Sequence, residues 1–202
     1  MKLKVQSINR HRFTTDGKGI TTLIGLYGCP LKCKYCLNKN VLNTNKFKEF
    51  TPIELVEQVM IDYCYFVATE GGITFGGGEP LLYSEQIKEI REILPNNIKL
   101  NIETSLNVDN EYVSDVLNIA DEIFIDIKSI NSEIYEEYTG NSNSKTLQWL
   151  KYIVDNNLQH KCTIRIPNIP NYTTKYDIEY SIKIIEEMGF KNIDTFDYVI
   201  RD

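Results

Sequence analysis

Three of the five cysteines fall within eight residues, in the run Gly28-Cys29-Pro30-Leu31-Lys32-Cys33-Lys34-Tyr35-Cys36-Leu37-Asn38. Three thiolates spaced C-x3-C-x2-C on one loop are well placed to bind a soft metal centre. A structural zinc ion wants four ligands, and the other two cysteines, Cys64 and Cys162, have no His or Cys beside them in a ligand motif. Three ligands without a fourth point to a cluster with one iron open to another molecule. The spacing alone also allows a zinc loop or three unrelated cysteines. A second run, Thr74-Phe75-Gly76-Gly77-Gly78-Glu79-Pro80, ends a predicted strand. Its glycines permit close backbone approach or positive φ, and the carboxylate beyond them can accept hydrogen bonds from an ammonium. Read alone, it is equally a tight turn with a solvated Glu. In Asp126-Ile127-Lys128 the two charged side chains alternate to one face of a strand. Charges turned into an apolar strand need partners, if only each other.

Short apolar runs alternate with longer helical segments along the chain. Predicted strands are Thr21–Leu26, Gly72–Phe75, Lys99–Thr104, Glu122–Ile127, Lys161–Ile166 and Ile193–Ile200. Predicted helices are Pro52–Ala68, Ser84–Leu94, Glu111–Ile119, Ser144–Asn156 and Lys175–Met188. Thr51, Pro52 and Glu54 read as a capping box with Pro in the first turn. Strand-then-helix repetition predicts a mostly parallel sheet wound by right-handed crossovers. A closed eight-unit barrel takes roughly 250 residues. The expected fold is therefore α/β, a single-domain partial (βα)6 TIM-like barrel over residues 1–202, with a flat doubly wound sheet second. In both, loops at the carboxyl ends of the strands form the site, and the cluster loop 28–38 follows the first predicted strand.

The 202 residues are 42% hydrophobic and 25% charged, a globular composition. A net charge of −6 argues against a protein held to nucleic acid by phosphate contacts. The 13 tyrosines are scattered and make no stacking signature. No apolar run is long enough to span a membrane, and no apolar core follows the first lysines as a secretory signal requires. The cytoplasm is the expected compartment. Cys64 and Cys162 are expected to be core and strand packing.

The cysteine spacing resembles that of the radical S-adenosylmethionine superfamily, with which the chain is similar from about Ile8 to Tyr198. That resemblance implies a 4Fe–4S cluster on Cys29, Cys33 and Cys36, whose fourth iron chelates S-adenosylmethionine. Tyr35 stands where the family has an aromatic near the adenine, and Asn38 at a position beside the cofactor. Gly77, Gly78 and Glu79 match the Gly-Gly-Glu motif that contacts the methionyl ammonium. Asp126 and Lys128 resemble an Asp-Leu-Lys strand that binds S-adenosylmethionine in glycyl-radical enzyme activases, the pyruvate formate-lyase activating type among them. Asp16-Gly17-Lys18-Gly19-Ile20 and Arg165-Ile166-Pro167 resemble further segments of those activases. Glu103-Thr104 resembles an Asp-Thr pair that, with a residue on the next strand, holds a monovalent cation. The chain departs by having Thr21 for an Arg, Phe124 for a common Met, Glu103 for the Asp, and no histidine near Tyr198.

The implied reaction is reductive cleavage of S-adenosylmethionine to methionine and a 5′-deoxyadenosyl radical. That radical would take a hydrogen atom from a glycine of a glycyl-radical enzyme, with a flavodoxin- or ferredoxin-type electron donor. No catalytic residue is expected beyond the cofactor and cluster. Alternatives in the superfamily are an anaerobic ribonucleotide reductase activase and a small-molecule or peptide-modifying enzyme. A non-catalytic metal-bearing adaptor is the alternative from another class.

Overall fold

The computed structural model describes residues 2–198 and residue 200. One eight-stranded sheet organises them, its first two strands in space being β3 (Lys48–Phe50) and β1 (Leu3–Phe13), followed by six more in chain order. Strands β2 (Ile20–Leu26), β4 (Gly72–Gly77), β5 (Lys99–Thr104), β6 (Glu122–Asp126), β7 (Cys162–Asn168) and β8 (Asn192–Asp197) pair in parallel. They are the six predicted strands, with ends moved by a few residues. The last was expected to reach Ile200 but leaves the ladder after Asp197; Val199 lies outside the described residues. The sheet is open, and β8 pairs with β7 alone among the described residues.

Sequence reading missed the start of the sheet. β1 (Leu3–Phe13) runs antiparallel to β2, and β3 (Lys48–Phe50) runs antiparallel to β1. Its signal was a period-two alternation, Leu3 and Val5 between Lys2, Lys4 and Gln6, and both apolar residues are buried. Between the strands run α2 (Pro52–Val59), α3 (Tyr63–Thr69), α4 (Ser84–Ile93), α5 (Val113–Ile119), α6 (Ser132–Thr139), α7 (Ser144–Asp155) and α8 (Lys175–Glu187), with a one-turn helix α1 (Lys39–Leu42) in the loop after β2. The capping box on α2 forms: Thr51 N–H donates to Glu54 Oε2 at 2.8 Å, and Glu54 N–H donates to Thr51 Oγ1 at 3.3 Å. The core lies between the helices and the strands, where Ile24, Ile73, Phe75, Leu100, Ile102, Ile123, Ile125 and Ile164 have no exposed surface. Strands covered on both faces read as apolar runs, which made them legible.

The predicted helix Pro52–Ala68 is two helices joined by a 3-10 turn at Met60–Asp62. The break turns the Asp62 carboxylate inward. It is fully covered and accepts from the Arg10 guanidinium, from Thr22 Oγ1 at 3.1 Å and from Nε2 of His11 at 3.0 Å. A buried carboxylate with such partners outweighs helical continuity. The break also corrects the reading of Cys64. It was expected in the core, but Phe66 is the one buried residue of α3 and Cys64 is exposed. Cys162 is buried in β7 as expected.

The Arg10 hydrogen bond holds the Asp62 carboxyl below its ordinary value, against the opposing effect of burial. Because the folded-state pKa is depressed, the stabilisation is present above the unfolded value of about 3.9 and is lost as pH falls through the folded value. Asp62→Asn is expected to cost about 2 kcal/mol at pH 7 and to lower the unfolding midpoint by about 5 °C. Below pH ~4 the gap between variant and wild type should close. A gap that stays constant between pH 7 and pH 3 would show that Asp62 does not act as a charge.

Candidate metal and cofactor site

The cysteine loop leaves the carboxyl end of β2 and is pinned at three places. Gly78 N–H donates to Leu26 O at 3.0 Å and Glu79 N–H to Gly28 O at 2.8 Å, which joins the loop's root to the end of β4. Asn38 Nδ2 donates to Gly77 O at 2.7 Å, which joins its far end to the same turn. Lys32 N–H donates to Thr139 O at 2.8 Å, Lys34 N–H to Tyr138 O at 3.1 Å, and Asn141 Nδ2 to Pro30 O at 2.6 Å. Those last contacts come from the end of α6, which the sequence did not announce as a helix. The glycines are required here. Gly77 has φ +87°, and a Cβ on Gly78 would sit 2.1 Å from Gly28 O.

Inside this frame Cys29, Cys33 and Cys36 line a cavity of about 390 Å³ with Asn38, Gly77, Gly78, Glu79, Asp126 and Lys128. Nine of the ten residues singled out for the metal and cofactor are thus brought together at the carboxyl edge of the parallel strands. Tyr35 is the exception. It does not line the cavity: its ring packs against Tyr138 and Tyr172, and Asn171 Nδ2 donates to its hydroxyl at 3.2 Å. An aromatic ring gains more from a ring cluster than from a polar cavity wall.

The three thiols are free and partly exposed. Burial pushes the Cys29 thiol up to about 12, with Glu79 adding to the effect. Burial also raises Cys33, although Lys128 opposes it. Metal binding at such thiols must displace their protons. Among the described residues no three His, Cys, Asp or Glu converge as a single ion requires. The thiols share a cavity wall instead, an arrangement that suits ligands given to separate irons of one cluster.

Glu79 is 1% exposed, and both carboxylate oxygens are engaged. Oε1 accepts from Thr104 Oγ1 at 2.6 Å and from Leu81 N–H at 3.2 Å. Oε2 accepts from Ser105 N–H at 2.9 Å and Ser105 Oγ at 2.7 Å. Burial nonetheless holds its pKa above the ordinary value. The next residue, Leu106, has φ +58°, a strained left-handed conformation for a branched side chain, and its N–H donates to Thr104 Oγ1 at 2.9 Å. Ser105 was missed by sequence reading; its only signal was its place at the end of the third parallel strand.

Asp126 and Lys128 do face the same way, with Lys128 Nζ 3.4 Å from Asp126 Oδ2. They do not pair only with each other. Arg165 Nε donates to Asp126 Oδ1 at 2.7 Å, and Arg165 Nη1 to Glu103 Oε1 at 2.9 Å. Burial works against both charges of the first pair. Lys128 and Arg165 still hold Asp126 below its ordinary value, and Asp126 holds Lys128 above its own. On β8, Asp194 and Phe196 line the cavity, with Tyr198 just beyond the strand, the period-two spacing of one strand face.

Comparison with known proteins agrees with this geometry. The profile of the Radical SAM superfamily matches residues 23–189. Pyruvate formate-lyase 1-activating enzyme of Escherichia coli strain K12 is 29% identical over 180 residues, 87% of this chain and 72% of that protein. Pyruvate formate-lyase-activating enzyme of Clostridium pasteurianum is 31% identical over 175 residues, 86% of this chain and 72% of that protein. Among solved structures, Streptococcus suis SuiB bound to S-adenosylmethionine superposes with a TM-score of 0.66 at 16% identity. That match covers 85% of this chain, which spans 38% of the SuiB chain. AnSMEcpe with bound AdoMet superposes with a TM-score of 0.61 at 18% identity, over 85% of this chain and 49% of that one; at such identities the likeness is one of fold. With its profile match across the parallel strands and its cysteines, glycines and paired charges meeting at their carboxyl ends, the chain belongs to the radical SAM superfamily.

Proposed function

We propose that this radical SAM enzyme activates a glycyl-radical enzyme by removing a hydrogen atom from a glycine Cα of that partner. The observation that carries the reading is the single cavity in which three thiols, the Gly77-Gly78-Glu79 turn and the Asp126–Lys128 pair meet. The activating-enzyme relatives, matched over 72% of their length, support the substrate class. A 4Fe–4S cluster held by Cys29, Cys33 and Cys36 would supply the one-electron reduction that splits S-adenosylmethionine into methionine and a hydrogen-abstracting 5′-deoxyadenosyl group.

In this reading the protein binds, orients and keeps out water. Cys29, Cys33 and Cys36 give thiolates. Gly77 and Gly78 offer backbone at close approach, and Glu79 holds the Thr104–Ser105 corner against it. Lys128 would hold the carboxylate of the cofactor, Asp126 orients Lys128, and Asn38 closes the loop onto Gly77. Tyr35 braces the loop through its ring cluster. The unclosed side of the barrel beside β8 gives a partner's glycine loop a way in.

The electron donor in this reading is of flavodoxin or ferredoxin type, in the cytoplasm. The far side of the cysteine loop opens into a second cavity of about 510 Å³ bordered by Lys32, Lys34 and Lys39. From Gly17 to Lys48 the chain has six lysines and no Asp or Glu, although its net charge is −6. A basic patch over the metal loop of an acidic protein suits an acidic one-electron carrier.

Anaerobic protein reduced in the presence of S-adenosylmethionine is expected to form 5′-deoxyadenosine. Mixed with glycyl-radical enzymes, it should produce a glycine-centred doublet in electron paramagnetic resonance. Deoxyadenosine without a doublet from any such partner would reject the substrate class. Lys128→Met is expected to weaken S-adenosylmethionine binding by about tenfold or more with iron content unchanged. Equal affinity in the variant, measured by calorimetry, would remove Lys128 from the site.

A further inference from the structure

The resemblance to glycyl-radical activases implies a monovalent cation at Glu103 and Thr104, and the structure places those residues in other contacts. Thr104 Oγ1 gives its proton to Glu79 Oε1 and accepts from Leu106 N–H, which leaves one lone pair. Glu103 Oε1 accepts from Arg165 Nη1 at 2.9 Å. Its Oε2 lies over Gly76, where a Cβ would stand 2.7 Å away. The residues present therefore do not fit an alkali ion.

Two departures from the activase pattern, Glu103 and Phe124, meet Asp126 and Arg165, which the pattern shares, at this point. Glu103 and Phe124 are cross-strand partners on β5 and β6, and Asp126 and Arg165 are partners on β6 and β7. The extra methylene of Glu103 carries its carboxylate to the guanidinium. Phe124 puts a ring under it, with Arg165 Cζ 5.4 Å from the ring centroid, a geometry in which the ring's face attracts a cation. Glu103, Arg165, Asp126 and Lys128 form a continuous chain of alternating charges with no net charge. An added ion would leave an uncompensated charge among partly buried groups, which is costly.

We infer that the Arg165 guanidinium is the built-in cation of this site, standing in the charge position that a monovalent metal ion would take. Binding of S-adenosylmethionine then needs no potassium or sodium. Arg165 is a positioning residue: it holds Glu103 and Asp126, and through Asp126 it sets Lys128. The inference rests on reading the cavity as the S-adenosylmethionine site.

The test compares potassium chloride with tetramethylammonium chloride at equal ionic strength. Wild-type cluster-loaded protein is expected to bind S-adenosylmethionine with affinities that agree within about twofold. Arg165→Lys keeps the charge but loses the fork that spans Glu103 and Asp126, so it should bind more weakly than wild type yet equally in the two salts. Arg165→Gln should bind about fivefold more tightly in potassium than in tetramethylammonium, the size of one partly screened charge interaction. A wild-type loss of about tenfold without potassium would overturn the inference, as would an Arg165→Gln variant indifferent to the salt. The unfolding midpoint of the same proteins is read without S-adenosylmethionine. It should be salt-independent in wild type and higher in potassium for Arg165→Gln, and the reverse pattern would also overturn the inference. Absence of S-adenosylmethionine binding in every salt would reject the functional reading, and the midpoints would still decide the role of Arg165.

Discussion

Cys33→Ala is expected to give a folded protein that is colourless after anaerobic reconstitution with iron and sulfide. It should form 5′-deoxyadenosine more than ~1000-fold more slowly than wild type, because the group that supplies the electron is gone. The thiol lies on a loop wall and is only partly covered, and the loop keeps its backbone bonds from Lys32 to Thr139 and from Lys34 to Tyr138. Folding should therefore change little. Cys64→Ala is the control. Cys64 is exposed on α3, and its loss should alter stability by no more than about 0.5 kcal/mol and leave cluster and turnover intact. Iron content, visible absorption and product formation are read side by side. A coloured, active Cys33 variant, or a colourless Cys64 variant, would overturn the ligand assignment.

Gly78→Ala should damage the same site without touching a ligand. The new Cβ would meet Gly28 O at 2.1 Å and Leu26 O at 2.7 Å. Those two carbonyls accept the hydrogen bonds that join the glycine turn to the cysteine loop. Both neighbours are backbone, so relief requires parting β2 from β4 at their carboxyl ends. Two backbone hydrogen bonds at about 1 kcal/mol each, with steric strain of about 1–3 kcal/mol, amount to roughly 3–5 kcal/mol and a fall of about 10 °C in unfolding midpoint. The cysteine loop should move with its root, so reconstituted iron should fall as well. A variant with the wild-type midpoint and a full complement of iron would show that the close approach is not structural.

Sequence reading found the six parallel strands because apolar residues punctuate them, fully buried in all but the edge strand β8, and it singled out the candidate site residues because their chemistry is local. Three cysteines in eight residues are close wherever the loop lies. The hairpin partner β1 was missed because its alternation fades after Val5, where most of the strand is half-buried or exposed. The 3-10 break before α3 was missed because its cause, the pocket of Arg10, His11 and Thr22 around Asp62, is made by residues about forty or more positions away. Tyr35 was assigned beside the cofactor by resemblance; its ring packs in a cluster assembled from α6 and the loop after β7 and does not line the cavity, a contact that no local pattern announces.

What the chain's order of residues determined by itself is the thiol cluster, the glycine turn and the repeated strand–helix grammar, since each depends on neighbours within a few positions. Tertiary structure alone decided which charges meet. Glu103, Asp126 and Arg165 sit on three adjacent strands, and only the parallel register brings the guanidinium between the two carboxylates. Electrostatic interactions fall off over a few ångströms in space, whatever the separation along the chain, so their pairing waits for the fold.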